Sequence, residues 1–348
     1  MLLKQKHTLN GSQDINNTFF MNLALREAWK YQGLTYPNPA VGCCVVGENN
    51  EVLSVGAHKR AGLPHAEVEA LKLAYIKLTG DNTIVDSTAS KEIHTYLINN
   101  HKNIFKNISI YTTLEPCAHV GKTPSCADLL SSLGVKKVYV GSRDKNPQAA
   151  CGNDTLLACG IEVQSDVLGD ACDDLLQPFN MWQENNFIFF KWAQRLNGTT
   201  DGGSISSIES RKNVHAMRDV CDLLVIGGNT VRIDRPTLDA RLVDGKAPDI
   251  LILSRSKTFD KTIPLFEIPH RKVMISDNFA LLKKYKNIMI EGTSSMYCLA
   301  QDFIDYYLCY IAPKFGGKEI FEKDDDAFTI LNIQKETQDI IMWMKKEI

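Results

Sequence analysis

Two short motifs, at residues 64–67 (Pro-His-Ala-Glu) and 116–126 (Pro-Cys-Ala-His-Val-Gly-Lys-Thr-Pro-Ser-Cys), constrain this chain more than any other feature. Among their side chains are the imidazole of His65 and the thiols of Cys117 and Cys126. A catalytic zinc ion is typically held by three protein ligands, and its fourth position is left to water. His65, Cys117 and Cys126 are therefore candidate zinc ligands.

Glu67 is a candidate proton carrier. A carboxylate near a metal-activated water can take a proton from that water and deliver it to a leaving amine. Residues two apart on a helix point about 200° away from each other, so His65 must lie at the very start of its helix if both face one site. Pro64 favours such a start. The sequence Thr-Pro-Ser at 123–125 likewise predicts a second helix with Cys126 in its first turn.

Each motif taken alone has a simpler interpretation. A His-x-Glu sequence is common, and two cysteines nine residues apart in a chain with ten cysteines are more often packed thiols than ligands. Their conjunction, each beside a proline and each at a predicted helix start, is the zinc-deaminase pattern. We therefore predict zinc-dependent hydrolytic deamination.

The motifs resemble those of the bifunctional riboflavin-biosynthesis deaminase/reductase family. That family carries Pro-Asn-Pro, here at 37–39, then His-Ala-Glu and a long Pro-Cys-x-His-x-Gly-x-Thr-Pro-x-Cys loop. Nucleoside and transfer-RNA deaminases place two residues between their cysteines, whereas this chain has eight. The spacing favours the riboflavin branch, and further matches extend over most of residues 16–320.

The resemblance implies that the deaminase site binds a small-molecule pyrimidine ribosyl phosphate. It places Asn38 on the ribose side, His119 in contact with the substrate, Lys122 on the phosphate, and Asp144 and Asn146 on the pyrimidine. Taken alone, each would be an ordinary turn or solvated loop residue.

The length of 348 residues predicts two domains. The resemblance implies an α/β architecture: a cytidine-deaminase-like three-layer domain at 16–168, a connecting segment at 169–186 and a dihydrofolate-reductase-like domain at 187–348. Residues 80–106 are polar and poorly periodic, so we predict an insertion there. We expect it to be helical around 91–100 and to be surface decoration.

The resemblance implies that the second domain reduces the ribosyl chain to a ribityl chain with a hydride from NADPH. Five residues match the positions at which the family binds its reductase substrate: Lys191, Arg218, Asp234, Arg241 and Glu291.

Two strand-to-helix turns carry the prediction of a cofactor site, because glycines there let backbone N–H groups approach a pyrophosphate. Such turns are common, and only the resemblance makes NADPH the better interpretation. A third turn, after the predicted strand 250–253, is a candidate seat for the 2′-phosphate, with an ordinary exposed turn as the alternative. The candidate residues are Gly227, Gly228, Thr230, Gly292 and Thr293, with Ser254 and Arg255 in the third turn.

Departures from the family pattern concentrate in this second half. Arg195 and Asn197 replace the Ser and Asp of Ser-Leu-Asp-Gly, and Ser204 lies near the place of a cofactor-contacting Trp. A deaminase with a non-catalytic reductase-like domain is therefore an alternative. A zinc-stabilised scaffold and a nucleoside or nucleic-acid deaminase are the others.

The composition of the chain indicates which partners and which cellular location to expect. A net charge of −2 gives no broad basic field for nucleic acid, and no run approaches the roughly 20 apolar residues of a membrane span. Without an export signal, the cysteines are expected to be reduced. We expect a cytoplasmic homo-oligomer that uses Zn²⁺ and NADPH and binds neither nucleic acid nor membrane.

Overall fold

The computed structural model describes residues 11–119, 123–145, 151–322 and 326–347, with the side chains of 11–16 excepted. The chain divides into two compact units between Gln177 and Pro178, and each unit is built on its own sheet. This confirms the α/β prediction. Within the described ranges, no helix combines the length and the apolar character needed to cross a membrane.

The first unit is organised around a five-stranded mixed sheet. Its strands are β1 (Gly42–Val46), β2 (Val52–Ala57), β3 (Ser109–Leu114), β4 (Lys137–Ser142) and β5 (Glu162–Gln164). Their order is β2-β1-β3-β4-β5, in which β1 is antiparallel to β2 and β3, and β3, β4 and β5 are parallel. The carboxyl end of β3 therefore lies between the carboxyl end of β4 and the amino end of β1, and it leads to Cys117.

Helices cover both faces of this sheet. The helices of this unit are α1 (Gly11–Trp29), α2 (Ala66–Thr79), α3 (Ser90–Asn100), α4 (Cys126–Leu133) and α5 (Gly152–Ala158), and α6 (Gly169–Glu184) contains the boundary between the two units. A Cβ on Gly42 would lie 1.9 Å from the carbonyl oxygen of Ala24 in α1, and one on Gly56 would lie 2.7 Å from the nitrogen of Ala70 in α2. These two glycines let opposite helix layers approach the sheet closely, which gives the predicted three layers.

Residues 80–106 belong to the core of the first unit. The predicted helix is present as α3, and it packs against α2 and α4. Ile93, Leu97 and Phe105 are all 0% exposed and lie in one cluster with the apolar side chains of α2 and α4. Ile84, 4% exposed, lies in the same cluster. The expectation of surface decoration was wrong, because the inward-facing apolar side chains are few and sparsely spaced in a polar segment.

The second unit contains an eight-stranded sheet. Its strands are β6 (Phe187–Arg195), β7 (Leu223–Gly227), β8 (Asp249–Leu253), β9 (Val273–Ser276), β10 (Asn287–Glu291), β11 (Tyr306–Ala312), β12 (Phe328–Glu336) and β13 (Asp339–Lys346). The order is β12-β13-β11-β6-β10-β7-β8-β9. The run from β11 to β9 is parallel, whereas β13 is antiparallel to β11 and β12.

This strand order brings three turns together. β10, β7 and β8 are consecutive parallel strands, so their carboxyl ends meet at one edge of the sheet. The helices α7 (Ile208–Val220), α8 (Gly228–Asp234) and α9 (Ser294–Ala300) belong to the same unit, and α8 and α9 begin at two of these ends. Ligands of parallel α/β sheets bind at such an edge.

Candidate functional site

The three candidate zinc ligands converge in the first unit. His65 is the N-cap of α2, with an extended backbone, and Cys126 is the first residue of α4, so both predicted helix starts are confirmed. The Nδ1 atom of His65 lies 3.7 Å from Cys117 Sγ and 3.4 Å from Cys126 Sγ. Two ligands bonded to one tetrahedral zinc ion lie about 3.5–3.8 Å apart. The donor set therefore fits zinc in both chemistry and spacing.

Outer contacts hold these ligands in place. Ser125 Oγ donates to the Cys117 carbonyl oxygen at 3.0 Å, and the Cys126 backbone N–H donates to Cys117 Sγ at 3.4 Å. Thr123 Oγ1 lies 3.2 Å from His65 Nε2, the ring nitrogen that faces away from the thiols. Metal-binding histidines commonly use their second nitrogen in this way. The sequence indicated Thr123 only as part of a helix start.

Unequal pKa values mark the two thiols. The hydrogen bond with Cys126, followed by the effect of His65, lowers the pKa of the Cys117 thiol to about 4. The same hydrogen bond, followed by burial, raises the pKa of the Cys126 thiol. The two thiols therefore lose their protons as a pair and not independently, and binding of a divalent cation favours their deprotonation.

Glu67 lies in the first turn of α2, beside the ligands but not among them. Its side chain is buried, and burial raises the pKa of its carboxyl group. The nearby His65 acts to lower this pKa, but burial outweighs it. A raised pKa suits a group that takes up and returns protons.

Asn38 is joined to the ligand region through a histidine that the sequence analysis missed. The ring of His58 is buried, with Nδ1 3.0 Å from the Pro64 carbonyl oxygen and Nε2 3.1 Å from Asn38 Nδ2. Burial lowers the pKa of His58 to about 4. Nothing in the local sequence indicates the contact, because Asn38 precedes β1 and His58 follows β2, and the two meet only when these strands pair.

A second unexpected histidine comes from α3. His94 is buried, and no hydrogen-bond partner for its Nε2 is found in the described part of the chain. Burial lowers its pKa to about 4, and the charges of Cys117 and His65 also act on it. The segment expected to be decoration therefore places an imidazole near the ligands.

The remaining deaminase candidates are less closely defined. His119 is exposed and Asp144 is half-buried. The backbone N–H of Asp144 donates to the buried carboxylate of Glu115 at 3.3 Å, which fixes the start of its loop. Lys122 and Asn146 lie outside the described residues.

Three of the five predicted reductase residues form one charged cluster. Lys191 of β6 and Glu291 of β10 are direct neighbours in the sheet, with Lys191 Nζ 3.8 Å from Glu291 Oε2. Arg218 donates from Nε and Nη2 to the same carboxylate at 2.8–3.1 Å. Burial acts to raise the pKa of Glu291, but Arg218 and then Lys191 outweigh it and the pKa is lowered. Burial lowers the pKa of Lys191.

The other two predicted reductase residues are exposed. Arg241 donates to Asp239 Oδ1 at 2.7 Å, and the Asp239 carbonyl oxygen accepts from Arg218 at 3.4 Å, so Arg241 borders the cluster. Asp234 is the last residue of α8, and no hydrogen bond or ion pair among the described residues joins it to the cluster.

The candidate cofactor residues lie in the three turns that follow β7, β8 and β10 at one edge of the sheet. A Cβ on Gly228 would lie 2.6 Å from the Cβ of Ser254, so the turns after β7 and β8 touch only because residue 228 is glycine. Gly292 and Thr293 lead from β10 into α9. Gly227, Gly228 and Thr230 lead from β7 into α8, and Ser254 and Arg255 follow β8. Three adjacent turns at one sheet edge fit an extended dinucleotide.

Comparisons with known proteins match both halves. Residues 15–142 match the cytidine and deoxycytidylate deaminase zinc-binding region, and residues 187–342 match the RibD C-terminal domain. The riboflavin biosynthesis protein RibD of Aquifex aeolicus is 33% identical over 340 residues, which cover 86% of this chain and 87% of that protein. The RibD of Actinobacillus pleuropneumoniae is 28% identical, with 89% and 87% covered.

The chain is also similar to solved structures over nearly its whole length. The diaminohydroxyphosphoribosylaminopyrimidine deaminase/5-amino-6-(5-phosphoribosylamino)uracil reductase of Thermotoga maritima gives a TM-score of 0.66 at 26% identity, covering 97% of this chain and 100% of that one. Form 1 of Acinetobacter baumannii RibD gives 0.63 at 25% identity with the same coverage. The predicted fold class of both halves is therefore confirmed.

Proposed function

The chain belongs to the RibD family of riboflavin-biosynthesis proteins, and from this premise we propose how its residues carry out the two reactions. The chain is an enzyme with a zinc-dependent deaminase activity and an NADPH-dependent reductase activity. Both predicted cofactors are therefore confirmed.

The proposed substrate is 2,5-diamino-6-ribosylamino-4(3H)-pyrimidinone 5′-phosphate. Water replaces the amino group at C2 and ammonia leaves. The ribosyl chain is then reduced at C1′ to a ribityl chain. The name of the Thermotoga maritima relative supports this order, since it joins a diaminopyrimidine deaminase to a reductase of the deaminated product.

The observation that carries the deaminase assignment is the convergence of His65, Cys117 and Cys126 beside the buried Glu67. These three side chains would hold the zinc ion, whose Lewis acidity would lower the pKa of a water molecule to about 7. Glu67 receives a proton from the attacking water and delivers it to the departing amine. Burial of Glu67 excludes bulk water, which would otherwise compete for that proton.

Substrate recognition in the deaminase site is proposed to involve residues around this centre. Asn38, tied to the ligand region through His58, contacts the ribose side. His119 and Asp144 contribute from the loops that follow β3 and β4. Lys122 and Asn146, outside the described residues, are proposed for the phosphate and the pyrimidine.

In the reductase half, NADPH supplies the hydride, and the protein supplies binding and orientation. Lys191 and Arg218 share the Glu291 carboxylate, so two cations and one anion give a net positive cluster suited to a phosphosugar. Arg241 and Asp234 are proposed to contact the substrate from its exposed side. Gly227, Gly228, Thr230, Gly292 and Thr293 are proposed for the pyrophosphate, with Ser254 and Arg255 for the 2′-phosphate.

The test measures two activities in two variants. Ammonia release from the diaminopyrimidine nucleotide is followed without NADPH, and NADPH absorbance is followed with the deaminated intermediate. Glu67→Gln should keep zinc and the reductase activity but lose at least about 10²-fold in ammonia release. Lys191→Ala should show the reverse pattern. Near-native ammonia release by Glu67→Gln would exclude a proton-transfer role, and loss of both activities in either variant would indicate misfolding instead.

The homo-oligomeric state and the cytoplasmic location stay predictions. Light scattering of the purified protein would measure the former directly.

A further inference from the structure

His58 occupies a connecting position between a proposed substrate residue and the segment before a zinc ligand. It directly follows β2, and its backbone N–H donates to the Val41 carbonyl oxygen at 2.9 Å. Its side chain is 2% exposed. Both ring nitrogens have partners: the Pro64 carbonyl oxygen at 3.0 Å and Asn38 Nδ2 at 3.1 Å.

These two partners specify which ring nitrogen carries the proton. The Pro64 carbonyl oxygen can only accept, so Nδ1 of His58 must donate to it. In an uncharged imidazole, Nε2 is then an acceptor, and it must face the NH₂ end of the Asn38 amide. The Oδ1 end of Asn38 is therefore directed away from His58. An asparagine amide has no such preference without a partner of fixed character.

We propose that His58 is a positioning residue that fixes the amide orientation of Asn38, so that Oδ1 is presented to a hydroxyl donor on the ribose side of the substrate. The inference rests on the proposed role of Asn38. Asn38 is partly exposed, and its own backbone N–H donates to the Thr35 carbonyl oxygen at 2.9 Å, so its backbone is also fixed. The deaminase site thus accepts a sugar hydroxyl at a set place and disfavours a ligand that presents an acceptor there.

A purely structural role is the competing explanation. The His58 ring packs edge-on against the ring of His65, with centroids 5.5 Å apart, and its bond to Pro64 supports the turn before that ligand. Loss of His58 could therefore harm the protein without any effect through Asn38. A test must separate the two hydrogen bonds of the one ring.

Two substitutions achieve this separation. In His58→Asn, the amide nitrogen can take the place of Nδ1 and donate to Pro64, but nothing reaches Asn38. In His58→Gln, the longer amide places an oxygen near the position of Nε2, where it accepts from Asn38, while the bond to Pro64 is lost. The experiment measures zinc content, melting temperature and steady-state ammonia release for both variants, with NADPH oxidation as the check on the second unit.

The proposal expects opposite rankings of the two variants. His58→Asn should keep zinc and stability but raise KM for the nucleotide about 5- to 10-fold, the factor for one neutral hydrogen bond, with kcat within about twofold. His58→Gln should keep a near-native KM and be the less stable of the two. A structural residue would give the same ranking in stability and in KM, and that outcome would overturn the proposal.

Asn38→Ala distinguishes failure of this inference from failure of the role of Asn38. If His58 acts through Asn38, the Asn38→Ala/His58→Asn double variant should have the same KM as Asn38→Ala alone. Additive losses would refute positioning through Asn38 while leaving its substrate contact intact. A native KM in Asn38→Ala would remove the substrate role itself, and the positioning proposal with it.

Discussion

Replacement of Leu97 by alanine tests whether α3 is part of the deaminase core. Leu97 is 0% exposed and packs in the cluster formed with α2 and α4. A buried Leu→Ala change costs about 2–5 kcal/mol. For a unit of this size, about 2–4 °C is expected per kcal/mol, so the melting temperature of the first unit should fall by roughly 4–20 °C. The neighbouring Ile98 is 40% exposed, and Ile98→Ala should change the stability by no more than about 0.5 kcal/mol.

The assay uses the two activities as reporters of the two units. Samples are heated in steps, cooled and assayed for ammonia release and for NADPH oxidation. Leu97→Ala should lower the temperature at which deaminase activity is lost, whereas the reductase midpoint serves as the internal control. Equal, small shifts in Leu97→Ala and Ile98→Ala would show that α3 is dispensable to the core, and the burial argument would be refuted.

Two further predictions concern the charged and metal-binding groups. The Cys117→Ser/Cys126→Ser double variant should lose zinc and some stability, because metal-binding energy contributes to folding, and full zinc occupancy by elemental analysis would exclude this ligand set. The pKa of Glu291 is lower in the folded protein than its ordinary value of 4.5, so its contribution to stability is present above about pH 4.5 and is lost as the pH falls through the folded pKa. Wild type should therefore lose reductase-unit stability in acid more steeply than Glu291→Gln, and parallel pH profiles would contradict this.

The zinc centre could be predicted from the sequence because its determinants are local. A proline precedes His65 and another precedes Cys117, and the Thr-Pro-Ser sequence fixes the helix start at Cys126. Each ligand is positioned by the residues next to it in the chain, so the conjunction of the two motifs is enough to indicate the site. The candidate cofactor turns could also be predicted from the sequence, because each of them directly follows a predicted strand.

What was missed depends on contacts between distant parts of the chain. His58 meets Asn38 across 20 residues, and Thr123 meets His65 across 58. Neither pairing has a period or a spacing that the sequence could show. The burial of α3 was missed because its inward positions are few, and the partners that bury it, α2 and α4, are identified only once the layers are assembled.

Two residues that depart from the family motif, Arg195 and Asn197, make hydrogen bonds that hold the loop after β6. Arg195 is 9% exposed, and its guanidinium donates to the carbonyl oxygens of Asp201 at 2.7 Å and Gly202 at 3.4 Å. Asn197 Nδ2 donates to the Gly316 carbonyl oxygen at 3.0 Å. The residues that differ from the family motif therefore hold this loop together and attach it to a neighbouring turn.

Different contacts hold this loop and the charged cluster formed by Lys191, Arg218 and Glu291. Lys191 and Glu291 lie on paired strands, and Arg218 lies on α7, so their geometry depends on the sheet and on a helix. The Asp201 carboxylate instead accepts from the backbone N–H groups of Lys318 and Glu319 at 2.8 and 3.1 Å, which anchors the loop outside the cluster. A change in the loop thus leaves in place the charged residues that are proposed to orient the phosphosugar. Since hydride transfer depends chiefly on such orientation, the altered loop is compatible with a working reductase.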